Sequence, residues 1–334
     1  MLQKKIARNI SLDIMRGYFL AVIIIDHIGR FPNPFEILTG EGKLWVSAAE
    51  GFFIISGLLV GLLYAKKFKE NPKKVFKKLW TRALVLYLCS VGLTLVFTLW
   101  GRTMPPQYVK YGIDNTSNFI DLIKNTLLFK YTFGWADFLP YYVIFLLFSP
   151  FVIFLVNKIN WKFVIAISLI AWCFRSSSPF LAWQAVFMTG LVVGSKFESL
   201  ESGFNNLKQN KKIWITRILT TITVVTIGIS VYFVFINKIN VLNNIFDKDT
   251  QGIGRIILAW IWFPTMYLLI RQNEKFIDKY TKGFFKTLGQ NSLKVYLIHS
   301  ILLFPINMIF PNVSFFENIF VTGGVLFIVY VWVD

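Results

Sequence analysis

The sequence predicts an all-α, polytopic integral membrane bundle of about ten transmembrane helices, with a cytoplasmic N-terminus. Three observations carry this expectation. Hydrophobic residues make up 55% of the chain and charged residues only 16%, more apolar surface than a soluble core of this length can hide. The apolar residues fall in runs of about 20, enough to cross roughly 30 Å of hydrocarbon. Lys and Arg collect in the short segments between those runs.

The first span, 11–29, follows Lys4, Lys5 and Arg8 and has the outline of a signal peptide. Asp13, Arg16, Asp26 and His27 interrupt or end it and no small-residue cleavage site follows, so it reads as an uncleaved first helix. The next two spans, 46–65 and 80–100, flank the most basic segment of the chain: Lys66, Lys67, Lys69, Lys73, Lys74, Lys77, Lys78 and Arg82. Spans follow at 138–157, 161–174, 180–197, 213–236, 253–270, 288–308 and 315–333. The segment 161–174 is the shortest of them. The last span ends at Asp334 without a polar tail, the pattern expected of a copy shortened at its C-terminal end. One membrane-embedded domain is expected to cover 1–334. In the longest loop, 101–137, the spacing over Ser117–Asn125 predicts a short amphipathic helix on the outer surface. Glycosylation-type triplets begin at Asn115 and Asn312, a pattern common by chance.

With the N-terminus inside, the cytoplasmic segments hold 23 Lys and Arg and the outer ones 10, as the positive-inside rule requires. The net charge of +18 is thus explained by topology, and no nucleic-acid partner is expected. Cys89 and Cys173 both fall in apolar runs, where a small apolar residue is expected and a disulfide is not.

An ionisable group inside a span costs a few kcal/mol, so each needs a partner or a function. Arg16 and His27 are eleven residues apart, about 20° past three full turns, and share one helix face separated by about 16 Å. Asp13 lies one turn before Arg16 and is placed to neutralise it. A face running from Arg16 to His27 suggests a lined passage with a proton acceptor at its outer end. Glu50, at matching depth on the second span, is the expected partner of His27, whereas Asp26 points about 100° away. Gly51, Ser56, Gly57 and Gly61 form a small-residue face suited to close helix packing or to a substrate groove. Trp183, Gln184 and His299 bring further polar groups to the outer level. No metal-ligand spacing, nucleotide-binding glycine loop or serine nucleophile elbow occurs in the sequence.

Leu12-Asp13-Ile14-Met15-Arg16-Gly17, then Asp26-His27, then Ala49-Glu50-Gly51-Phe52-Phe53-Ile54-Ile55-Ser56-Gly57 resemble the OpgC family of membrane acyltransferases. Leu139-Pro140-Tyr141-Tyr142, Pro179-Phe180-Leu181-Ala182-Trp183-Gln184 and Leu288-Gly289-Gln290-Asn291-Ser292-Leu293 agree with it in the same order. The spacing of Arg16 and His27 is similar to that shared by the broader acyltransferase-3 clan. The resemblance implies transfer of an acyl group, succinyl or acetyl, from cytoplasmic acyl-CoA to a hydroxyl of an extracytoplasmic glycan. No tightly bound cofactor is implied, acyl-CoA being a co-substrate. The expected location is a cell membrane, bacterial inner or plasma membrane, with lipid around the chain and room for a homodimer. The expected catalytic set is His27 as base with Glu50 and Asp26. Arg16, Asp13, Ser56 and Arg82 are expected to meet the donor, with the basic loop on the CoA phosphates. Trp183, Gln184, Tyr141 and His299 are expected to meet the acceptor. For a succinyl group, Arg30 or Lys43 would supply a cation. The rival class is a multi-span transporter or flippase for a glycan or small anion; no inverted repeat or matched pair of broken helices supports it.

Overall fold

The computed structural model describes residues 8–28, 34–105, 114, 118–237, 243–309 and 314–334. Arg30 and the triplets at Asn115 and Asn312 fall wholly or in part outside them.

The chain is helical throughout, with no strand among the described residues. In order it forms α1 (Ile10–Ile28), α2 (Pro34–Thr39) running into a 3-10 turn at Gly40–Gly42, α3 (Ala48–Glu70), α4 (Pro72–Arg102), α5 (Phe119–Leu127) and α6 (Phe138–Lys158). There follow α7 (Trp161–Cys173), α8 (Pro179–Ser195), α9 (Phe197–Asn205) and α10 (Gln209–Val231), the last continuing as a π-turn through Tyr232–Asn237. The chain closes with α11 (Asn243–Phe246), α12 (Ile253–Gln272), α13 (Glu274–Tyr280), α14 (Phe284–Gln290), α15 (Ser292–Ile309) and α16 (Phe315–Val333). Local chemistry marks the ends. Asn71 closes α3, and its side chain then accepts from the Lys74 N–H to cap α4, with Pro72 in the first turn. Ser314 and Glu317 cap α16 reciprocally.

Every apolar run in the sequence contains a helix. Six helices, α3, α4, α6, α10 with its π-turn, α12 and α16, are long and apolar enough to cross a membrane. The pair α8 and α9, bent by 63°, adds a seventh if counted as one span. The sequence pattern had led to about ten. The difference lies in α1, which has the length but carries Asp13, Arg16 and Asp26, and in α7, whose 13 residues reach only about 20 Å. The remaining run breaks at Asn291 into α14 and α15. The amphipathic helix expected over Ser117–Asn125 is α5, which turns Leu122 and Thr126 inward.

Many large apolar side chains face outward. On α16, Phe316, Phe320 and Phe327 are 70%, 79% and 66% exposed along one face, a surface whose natural solvent is hydrocarbon. Two contacts made by backbone rather than side chains hold the interior. Between α3 and α8, a Cβ added at Gly57 or Gly61 would strike the carbonyls of Phe187 and Leu191, and one added at Gly190 or Gly194 those of Ile54 and Leu58. Between α1 and α14, Gly17 meets the Phe285 carbonyl and Gly289 the Asp13 carbonyl in the same way. The small-residue face expected on the second span is therefore a packing seam. Cys89 and Cys173 are free thiols.

Candidate functional site

The polar side chains of α1 form three groups along its length. At its N-terminal end Asp13 accepts from Arg8 Nε at 2.5 Å and from Gln290 Nε2 at 3.3 Å. The expected Asp13–Arg16 pair is thus replaced, because Arg8 and α14 reach Asp13 first. Arg16, one turn further, lies 5.9 Å over the Phe52 ring, and its Nε is buried without a hydrogen-bond partner. It faces a cavity of about 360 Å³ bounded by Phe52, Ser56, Arg82, Tyr142 and Tyr296 among others. Three of the four residues expected at the donor, Arg16, Ser56 and Arg82, line this one cavity, and Asp13 does not. The Ser56 hydroxyl is already engaged, 2.8 Å from the Tyr142 hydroxyl.

Arg82 and Thr81 also border a second hollow of about 470 Å³ with Lys74, Lys77, Lys78 and Tyr64. Spacings of three and four residues put these cations on one face of α4. The basic hollow and the cavity therefore share a rim. Lys66 pairs with Glu198 and lies apart from that rim.

Tyr296, which also lines the cavity, packs edge-on against His299 with ring centroids 5.0 Å apart. His299, fully buried, lies with its Nε2 3.2 Å from His27 Nδ1 and its own Nδ1 3.3 Å from the Val295 carbonyl. The structure brings together the chain's two histidines, one expected as base and the other at the acceptor.

Glu50 is elsewhere. Its Oε1 accepts from Arg255 Nε at 2.7 Å and Gln251 Nε2 at 2.9 Å, and its Oε2 from the Ser47 N–H and hydroxyl at 2.8 and 2.7 Å. Both Glu50 and Arg255 are sealed from solvent. The expected partnership of Glu50 with His27 is replaced by an ion pair tying the start of α3 to α12. Asp26 accepts from the Thr39 hydroxyl, and its Oδ2 converges with Lys248 Nζ on Gly42, 3.8 and 3.2 Å from where a Cβ would sit. Gly42 has a φ of 66°, which favours glycine there twice over.

The expected acceptor residues divide. Gln184 takes the Ser168 hydroxyl on Oε1 at 2.8 Å and gives Nε2 to the Ser168 and Leu181 carbonyls at 2.8 and 3.2 Å, so it fastens α8 to α7 with both amide hydrogens spent. Trp183 is buried against Phe53 at 5.0 Å, which closes its face to a sugar ring. Tyr141 stays half-buried beside Phe180, within electrostatic reach of Asp137 and Asp249. Asp137 is exposed on one side, yet the protein around it pushes its carboxyl up to about 6 against the pull of Lys248. Lys43 is spent on Glu41. Tyr142 is named in the sequence only as part of Leu139-Pro140-Tyr141-Tyr142, with no role; of Tyr296, Asp137 and Lys248, which were not singled out, Tyr296 alone carried a signal, lying three residues before His299 on one helix face.

A helical chain with several spans and a polar line through its interior is the class that this geometry defines. The family model described as OpgC protein matches residues 8–333. The chain therefore belongs to the OpgC family, which implies an acyltransferase-type enzyme that modifies glucans. No curated protein and no solved structure matches it.

Proposed function

We propose that the chain is a multi-pass enzyme of the bacterial cell membrane that moves an acyl group, succinyl or acetyl, from cytoplasmic acyl-CoA to a hydroxyl of an extracytoplasmic glycan. One observation carries the reading: the basic hollow and the Arg16 cavity share Thr81 and Arg82, and Tyr296, which also lines the cavity, packs on His299 of the histidine pair. CoA phosphates would lie among Lys74, Lys77, Lys78 and Arg82, where clustered cations favour them. The thioester arm would enter the cavity past Arg16, whose unpaired Nε offers a hydrogen bond to a carbonyl. At the histidine end, His27 takes the proton of a glycan hydroxyl as its oxygen attacks the thioester carbon. The C–S bond then breaks, and the CoA thiolate recovers that proton from the imidazolium. This reading sets the N-terminus and the basic hollow on the cytoplasmic side, in accord with the charge distribution.

The test is ester formation in reconstituted vesicles, with radiolabelled succinyl- or acetyl-CoA on the Lys74–Arg82 side and glucan on the other. Wild type should place label on glucan, and His27→Ala should lower the rate by about 10²-fold or more, the range of general base catalysis. Passage of glucan or acyl-CoA without ester would make the chain a transporter instead.

A further inference from the structure

A backbone carbonyl can only accept a hydrogen bond. The nitrogen of His299 that faces the Val295 carbonyl at 3.3 Å, Nδ1, must therefore carry a proton. His299 is fully buried, where a charged ring is costly, and the neutral ring keeps a lone pair on Nε2. His27 Nδ1 stands 3.2 Å from that lone pair, so His27 must donate. In neutral His27 a proton on Nδ1 leaves the lone pair on Nε2.

We propose that His299 is the positioning residue of His27: it holds the ring in the Nδ1–H form and presents Nε2 as the base. The inference rests on the acyl-transfer reading for its kinetic consequence but not for its geometry. The relay runs Val295 carbonyl, His299, His27, and the hydroxyl proton is taken at His27 Nε2. As that nitrogen gains the proton, the Nδ1–H···Nε2 bond becomes charge-assisted and strengthens. The imidazolium is thus supported on its Nδ1 side by a neutral ring. The near-parallel rings, 23° apart in plane, and the edge of Tyr296 at 5.0 Å hold His299 in this orientation.

The chain contains two histidines, so ring-¹⁵N-histidine labelling yields four nitrogen signals, assigned by single replacement. In the wild-type protein in lipid nanodiscs near pH 8, both rings should be neutral with Nδ1 protonated. A wild-type His27 protonated at Nε2 overturns the proposal, whatever the enzyme assay gives. Kinetics supply the second arm. His299→Phe keeps a ring but no acceptor, whereas the side-chain carbonyl of His299→Gln can still accept from His27 Nδ1. The Phe variant should lose about 10²-fold or more in kcat with both KM values unchanged, and the Gln variant should regain at least tenfold. A Phe variant within threefold of wild type, or one that raises only the acceptor KM, overturns the proposal while leaving acyl transfer standing. Absence of ester in the wild type would remove the acyl-transfer reading and leave the spectrum to decide the pairing.

Discussion

Helices α3 and α10 are similar in length and apolarity, yet most of α3 is buried by its neighbours and almost none of α10 is. The two meet their surroundings differently. Along α3, glycines let the backbone of α8 come close enough that no side chain separates them. Along α10, contacts to α12 are made by side chains such as the Thr223–Thr265 and Trp262–Thr226 hydrogen bonds, and Gly228 has nothing within 4 Å of a notional Cβ. The Arg16 cavity is walled on one side by the tightly packed α1, α3 and α8. Arg16 and Ser56 thus face the cavity from helices whose backbones are locked against neighbours, and neither α10 nor α16 lines it.

The sharpest way to break this contrast is a matched pair of glycine replacements. Gly57→Leu should abolish recovery of monodisperse protein in detergent, because a carbonyl on the facing helix cannot relax as a side chain can. Gly228→Leu should leave yield and melting temperature near those of wild type. Equal behaviour of the two would mean that the α3–α8 seam is looser than its geometry.

Next in size is the buried ion pair. Glu50→Gln leaves Arg255 charged and uncompensated, and should lower stability by about 3–5 kcal/mol in thermal or denaturant unfolding. Replacing both, as Glu50→Leu with Arg255→Met, should recover most of the loss. A stable Glu50→Gln protein impaired only in kcat would instead return Glu50 to the base. The smallest effect is expected at the exposed rim. Arg82→Ala should raise the KM for acyl-CoA about tenfold, or ~1.4 kcal/mol, with a weaker dependence on salt than wild type. Sensitivity to the acceptor concentration instead would place the donor elsewhere.

Positions of helices were legible from hydropathy alone, since lipid demands long apolar runs and the sequence has little else. What escaped was direction and commitment. Arg255 lies at the start of the apolar run 253–270 and nothing in the sequence points it at Glu50; only the folded chain turns it inward. Gln184 looked like a sugar ligand because Ser168, its partner, lies sixteen residues away on a helix whose own polar residue drew no notice. The break at Asn291 was invisible within a continuous apolar stretch; it lets Gly289 press on α1 while α15 turns away toward the histidine pair. Arg16 with His27 and the depth of His299 were readable, because a charge in a span has few innocent explanations.

All these contacts of α1 share one property along the chain. Asn9 bonds Tyr267, Ser11 bonds Glu274, Asp13 bonds Gln290, Gly17 packs on Phe285, and His27 meets His299. During synthesis α1 waits for partners that all lie at or beyond Tyr267, which at about 5–20 residues per second is a delay of tens of seconds. Until then Asp13 and Arg16 sit in a segment too polar to be at ease in lipid. A chain interrupted before Tyr267 would lack all of these partners, leaving Asp13 and Arg16 on an uncovered helix.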